Sequence, residues 1–180
     1  MSHWEPLRPG DAETIREQLH RAPRGLLGVA ARSPDGTPAV VVTDPLLPDG
    51  SPFPTFYYLT LPRLIQACST LEAEGWMAPW AARLEQDPAL GVAYTAAHTA
   101  YLTDRAAIRE VPRIAGISAG GMPVRVKCVH ALVAHALAAG PGVNPVGDTA
   151  LAGMGWPGWE GRGWGAQSPT SAPDAGMTGM

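Results

Sequence analysis

Hydrophobic and polar positions follow two different periods along the first part of the chain. Over residues 11–21 apolar side chains recur at three-to-four spacing, which predicts an amphipathic helix. Two short apolar runs over 26–31 and 39–43 flank a Pro-Asp-Gly turn, and this pattern predicts an antiparallel hairpin. The aromatic and β-branched run over 55–60 predicts a third strand. These segments together predict a small three-stranded antiparallel sheet.

After the third strand, the spacing of apolar residues becomes helical. It predicts helices over 62–75, 76–84 and 89–108, and an almost wholly apolar helix over 123–139. A helix without a polar face is expected to be buried. Asp148 is expected to cap a last short turn. We therefore predict an α+β domain, with a small three-stranded antiparallel sheet packed with about five helices, one of them central and buried.

Composition divides the chain into a domain and two ends. Residues 11–152 carry the periodic segments and are expected to fold as a single globular α+β domain, for which a chain of 180 residues and 18.8 kDa is large enough. Residues 1–10 lack such a pattern and are predicted to be a flexible N-terminus. Residues 153–180 contain Gly, Pro and Trp without a period, and they predict a disordered tail.

Net charge and cysteine usage exclude several classes of protein. The chain has 13 Lys and Arg against 16 Asp and Glu, and this formal net charge of −3 argues against nucleic-acid binding. No apolar stretch approaches the roughly 20 residues of a membrane span, so no membrane insertion is predicted. The N-terminus has no secretory signal, which predicts a cytoplasmic location. Cys68 and Cys128 are then expected to be reduced thiols.

The segment 118–148 contains the strongest candidate for a ligand site. Arg125 and Lys127 fall in the first turns of the predicted central helix, where the helix dipole disfavours positive charge by up to about 1 kcal/mol. An anion at that helix end would offset the cost, and Gly120 and Gly121 would let the backbone approach it closely. A small anionic ligand, a phosphate or carboxylate, is therefore predicted at Gly120, Gly121, Arg125, Lys127, Asn144 and Asp148.

Two alternatives explain the positions of Arg125 and Lys127 without a ligand. An internal carboxylate, from Asp104, Glu110 or Asp148, would close a structural salt bridge. Alternatively, both side chains simply extend into solvent. The segment is not a P-loop, because the Gly-x4-Gly-Lys-Ser/Thr order is absent.

Histidines near this segment are candidates for proton transfer, because a neutral imidazole is suited to it near pH 7. His135 on the predicted central helix and His98 on the long helix before it are the candidate catalytic residues. Cys128, His130 and His135 are weak metal candidates. On one continuous helix Cys128 and His135 are separated by about 10.5 Å of rise, and His130 points elsewhere. The sequence therefore predicts no metal site from these residues alone, and any cofactor is unknown.

Four phrases of the sequence carry a family pattern: Pro-Arg-Gly at 23–25, Pro-Phe-Pro-Thr-Phe-Tyr-Tyr-Leu-Thr at 52–60, Ala-His with Tyr-Leu and Arg over 97–105, and the whole of 118–148. They resemble the bacterial family called domain of unknown function 501, over roughly residues 11–152. Ser33 and Val124 depart from the pattern, where Cys and Asp are more usual, so the resemblance does not imply a metal or redox role for residue 33.

The resemblance implies membership of a family without an assigned activity. Its members are often encoded near a septum-formation initiator protein and a polyphosphate phosphatase, which implies a bacterial housekeeping role. Three hypotheses therefore stand: a domain that binds a small anionic ligand and acts as an enzyme if a histidine transfers a proton, a non-catalytic interaction protein with a partner in the cell-division or envelope machinery, and a metal-dependent hydrolase.

Overall fold

The computed structural model describes residues 4–165, and its elements follow the order of the sequence pattern. They are α1 (Asp11–Leu19), β1 (Leu26–Arg32), β2 (Pro38–Thr43), β3 (Tyr57–Leu59), α2 (Pro62–Ala73), α3 (Trp80–Gln86), α4 (Pro88–Ile108), α5 (Val129–Ala139) and α6 (Pro145–Gly153), with a short 3-10 turn at Pro112–Ile114. The predicted α+β fold is confirmed, with six α-helices in the described part of the chain. Within residues 4–165, no helix combines the length and the apolar character needed to cross a bilayer.

The three strands form one antiparallel sheet with β2 in the middle. Every residue of β2 is buried, as expected for a strand covered on both faces. Successive side chains of a strand point to opposite faces. Val40 and Val42 accordingly belong to the main core, whereas Val41 packs with Ile15 and Val29 in a smaller cluster. α1 therefore covers one face of the sheet and α5 the other.

α5 lies at the centre of the domain because it has almost no polar surface. Nine of its 11 residues are buried, and it contacts β3, α2 and α6. Gly147 of α6 lies against the backbone of α5, where a Cβ would collide with the carbonyl oxygen of Leu132. The two helices approach this closely because residue 147 has no side chain.

Residues 4–10 belong to the fold, so the predicted flexible N-terminus is wrong for them. Glu5 forms backbone hydrogen bonds with Val29 in both directions, each with an N–O distance of 2.9 Å. Leu7 packs against the small cluster beneath α1. Their partner is the open edge of β1, which is distant in sequence and therefore leaves no local pattern. Residues 1–3 lie outside the described residues.

Residues 153–165 also pack on the domain, so the predicted disorder is wrong for this part of the tail. Trp156 and Trp159 are buried in the main core. The Trp164 indole N–H donates to the Asp87 carboxylate at 2.7 Å. Indole rings bury a large area wherever the backbone lets them reach the core, so side chains hold this glycine-rich segment without a regular element. The remainder of the predicted tail, 166–180, lies outside the described residues.

The last helix begins earlier than predicted, at Pro145. Its N-cap is Asn144, whose side chain accepts a hydrogen bond from the Gly147 amide at 3.0 Å. Asp148 was the predicted cap, but it lies within the first turn and accepts from the Trp159 indole at 2.7 Å. The prediction was wrong because it ignored the stronger start signal, an Asn followed by Pro at the first helical position.

Candidate functional site

The central helix begins at Val129, and its predicted earlier start is wrong. The residues before it form a compact loop, in which the Lys127 amide donates to the Gly120 carbonyl at 2.7 Å and the Arg125 amide donates to the Gly121 carbonyl at 3.1 Å. In the predicted longer helix these amides would have belonged to its first turns. Here they donate to carbonyls of the loop instead. Closure of the loop therefore prevails over the local apolar pattern.

Gly120 and Gly121 are explained by this loop without a ligand. Both have positive φ angles, 66° and 94°. A Cβ on Gly120 would lie 2.6 Å from the Leu132 side chain, and one on Gly121 would lie 2.6 Å from the Arg125 carbonyl oxygen. The loop thus requires glycine at both positions for steric reasons.

An acidic side chain of the protein occupies the N-terminus of α5. Glu72, at the end of α2, accepts a hydrogen bond from the Val129 amide at 2.7 Å and lies 3.1 Å from Nδ1 of His130. The carboxylate takes the position that the sequence assigned to an external anion. Arg125 and Lys127 precede the helix, so the reason given for an anion at its dipole does not hold.

A cleft of about 960 Å³ opens beside this helix end. It is lined by β3, by the loop 116–128 and by the first residues of α5. Arg125 and Lys127 both line it and are exposed to solvent. Within residues 4–165, neither side chain forms an ion pair and no Asp or Glu lines the cleft.

Glu72, Cys128 and His130 meet at the edge of this cleft, which Cys128 and His130 line. One ligand atom of each residue lies within 4.8 Å of the other two, and all three residues are half-buried. Cys128 and then Glu72 raise the pKa of His130 to about 9 by hydrogen bonding, although burial opposes this. The imidazole is therefore protonated at neutral pH, and its charge is paired with that of Glu72. Cys68 and Cys128 are both free thiols.

His98 lies on α4 and does not line the cleft. Its Nδ1 is 2.8 Å from the Ser118 hydroxyl oxygen, and that hydroxyl donates to the Met122 carbonyl at 3.2 Å. Both contacts form when Nδ1 of His98 carries the proton and donates to the hydroxyl oxygen. In this tautomer the pair fastens the loop to α4.

Three other predicted site residues lie inside the protein, outside the cleft lining. His135 and Asn144 are fully buried and Asp148 is 2% exposed. The Asn144 amide nitrogen lies 3.1 Å from Nδ1 of His135. Burial lowers the pKa of His135 to about 4 and raises the pKa of Asp148. The structure does not bring these residues together with the cations of the cleft.

A buried arginine fastens two loops that border the cleft. Arg105 of α4 is 4% exposed. Its guanidinium donates to the carbonyls of Pro54 at 3.1 Å, Ile114 at 2.6 Å and Ile117 at 2.5 Å. Ile117 lines the cleft, and so does Thr55, which follows Pro54 in the chain. Arg105 therefore sets the separation of the cleft walls without lining the cleft itself.

Comparison with protein-family models matches residues 29–152 to DUF501, described as a protein of unknown function. The chain belongs to the DUF501 family. The resemblance seen in its sequence phrases is thus confirmed over most of the domain. Comparison with curated proteins and with solved structures gives no match. Membership of DUF501 brings no assigned activity with it.

Sequence reasoning missed the acidic partner of His130 and of the Val129 amide. Glu72 lies in an ordinary helical segment, Leu-Glu-Ala-Glu, where Glu74 has the same local character. Only the contact of α2 with α5 places Glu72, and not Glu74, against the start of the central helix. No local signal in the sequence distinguishes the two residues.

Proposed function

We propose that this DUF501 domain binds a small anionic ligand with an apolar body in the cleft beside α5. The observation that carries the proposal is the charge of the lining. Arg125 and Lys127 are its unpaired cations, and within residues 4–165 no carboxylate lines it. A cleft lined by charges of one sign focuses the electrostatic field and raises the local concentration of the opposite ion.

The positive charge is local and does not reflect a basic protein. The formal net charge is −3, and Lys127 is the only lysine in the sequence. Other surface arginines form ion pairs with acidic residues. Arg109, for example, pairs with Asp44 at an N–O distance of 2.9 Å. Arg125 and Lys127 lack such a partner within the described residues, so their charge is available to a ligand.

The shape and lining of the cleft define the ligand class further. Its volume of about 960 Å³ is that of a small-molecule pocket. Apolar and aromatic side chains contribute most of the lining beside the cations, among them Tyr58, Leu59, Ile65 and Ile117. A phosphate or carboxylate attached to an aromatic or aliphatic body fits this lining better than an inorganic ion does. Catalysis is not part of the proposal, since His98 and His135 do not line the cleft.

Calorimetry with phosphate- and carboxylate-bearing metabolites that carry a ring or an alkyl chain tests this function. We expect Arg125→Ala and Lys127→Ala each to weaken the Kd of a binding compound about tenfold, which corresponds to about 1.4 kcal/mol. The loss should shrink at high ionic strength because exposed charges are screened. Arg16→Ala is the matched control, since Arg16 is exposed on α1 and does not line the cleft.

The single lysine allows a second measurement on the same cleft. An amine-specific reagent can label only Lys127 and the chain's N-terminal amine, and a bound ligand should protect Lys127 selectively. The proposal is refuted if no compound of the panel binds, or if binding compounds have the same affinity for the Arg125→Ala/Lys127→Ala double variant.

An interaction protein is the second candidate, and one surface favours it. Val92 and Val124 are 72% and 78% exposed, and both line a groove beside α4 together with Leu84 and Pro123. Exposed apolar residues that share a groove are typical of a protein contact. A partner captured through this groove should be lost with Val92→Asp and retained with Arg125→Ala. If both variants retained the partner, the partner would not bind through this groove.

A further inference from the structure

We propose that Glu72, Cys128 and His130 form a binding site for one divalent transition-metal ion of the zinc type at the edge of the cleft. The ligand atoms of the three side chains lie within 4.8 Å of one another. The metal ion alone is the ligand, so this proposal does not rest on the anionic ligand, although Cys128 and His130 line the same cleft.

The backbone at the start of α5 is what brings two of the ligands together. On a continuous helix, Cys128 and His130 would point about 160° apart. Cys128 is instead the N-cap of α5, with φ −147° and ψ 111°. Because residue 128 is extended and lies outside the helix, the helical rotation of 100° per residue does not relate its side chain to that of His130. The helical geometry that argued against a shared metal therefore does not apply to this pair.

The chemistry of the three ligands selects a particular class of metal. Thiolate, imidazole nitrogen and carboxylate oxygen are the ligand types that zinc uses. A thiolate in the set disfavours magnesium and calcium, which require oxygen ligands. Zinc bonds of about 2.0–2.3 Å place tetrahedral ligand atoms about 3.3–3.6 Å apart. From separations of at most 4.8 Å, the ligand atoms need to approach one another by at most about 1.5 Å.

Neighbouring groups orient two of the ligands. The Ser69 hydroxyl lies 3.2 Å from Nε2 of His130, so this ring nitrogen has a partner and Nδ1 is left to face Glu72 at 3.1 Å. The Glu72 carboxylate is held by the Val129 amide at 2.7 Å. Metal-binding histidines and carboxylates are commonly fixed by such outer hydrogen bonds.

The site has access from solvent and room for a further ligand. Cys128 and His130 both line the cleft of about 960 Å³. The side chains of His130 and Glu72 are 28% and 27% exposed, so an ion can reach them without unfolding. Three protein ligands with an open fourth position are the pattern of catalytic zinc sites, and water or an anion from the cleft would complete the coordination.

Cobalt(II) titration of the metal-free, full-length, tag-free chain tests the site, because thiolate ligation gives a near-ultraviolet charge-transfer band and tetrahedral geometry gives visible bands. We expect one cobalt per chain with a thiolate band, and displacement by one equivalent of zinc. Cys128→Ser should abolish the thiolate band and weaken zinc binding more than about 100-fold. Ser69→Ala should weaken it about tenfold through the loss of orientation.

Matched variants separate loss of a ligand from loss of the fold. Cys68→Ala removes the other thiol, which is fully buried, and should retain the full band. Glu72→Gln keeps an oxygen that can accept from the Val129 amide, so α5 should persist by circular dichroism while zinc binding weakens at least tenfold. Binding of neither metal would show that the three residues form only an ion pair with a nearby thiol and would overturn the proposal. Stoichiometric binding that survives Cys128→Ser would also overturn it.

Discussion

Arg105→Met is expected to lower the free energy of unfolding by about 3 kcal/mol or more. The Arg105 guanidinium is buried and donates to the backbone carbonyls of Pro54, Ile114 and Ile117. Hydrogen bonds from a charged donor contribute about 1.5–3 kcal/mol each, and a carbonyl left buried without a partner adds a further cost. Burial lowers the pKa of Arg105, which offsets part of this gain. Urea unfolding followed by tryptophan fluorescence measures the loss.

Arg109→Met is the matched control for this experiment. Arg109 follows Arg105 by one helical turn, but its side chain is 49% exposed and pairs with Asp44 at the surface. An exposed ion pair contributes little to stability, because solvent screens it. Arg105→Lys should recover less than half of the loss, because an ammonium group cannot reproduce the planar fork that reaches three carbonyls. Equal losses in Arg105→Met and Arg109→Met would contradict the assigned role.

Acid is expected to destabilise the domain by about 3 kcal/mol through His135 alone. Burial lowers the pKa of His135 from its ordinary value of 6.5 to about 4. Between these two values the unfolded chain binds a proton that the folded protein does not bind. The free energy of unfolding therefore falls as the pH is lowered from 6.5 to about 4, and one pKa unit corresponds to about 1.4 kcal/mol. Tyr57 stacks on the ring at 6.0 Å and supplies no compensating charge.

The measurement is urea unfolding at pH 7 and at pH 4, for the natural chain and for His135→Phe. The phenyl ring keeps an aromatic contact with Tyr57 but leaves the Asn144 amide without its partner, so this variant is less stable at pH 7. Its stability should nevertheless decrease less on acidification. The exposed His20 provides the control His20→Gln, which should keep the full acid dependence. Parallel pH dependences in the natural chain and His135→Phe would show that His135 does not cause the effect.

The elements that the sequence predicts well are those whose pattern is local. The hairpin β1–β2 follows from two apolar runs around a Pro-Asp-Gly turn, and Pro88–Ile108 follows from a long helical period between proline signals. The burial of α5 was also predictable, because a helix without a polar face has no side to turn to water. These features depend on residues that are neighbours along the chain.

The start of α5 shows where local reasoning ends. The apolar run from 123 onward favours a helix, yet loop closure between Gly120 and Lys127 takes the backbone groups that the longer helix would use. The predicted anion site at a helix dipole depended on that start and lost its basis with it. The two cations nevertheless line the cleft, because the same loop carries them there.

The sequence by itself determined the family, the α+β class, the antiparallel sheet and the identity of the buried helix. The tertiary structure decided everything that depends on contact between distant segments. It placed Glu72 of α2 at the end of α5, enclosed His135, and packed the tryptophans of 156–164 on the core. The physical reason is that periodicity and helix signals are local properties, whereas hydrogen bonding, burial and charge pairing at a site depend on which distant residues the fold brings together.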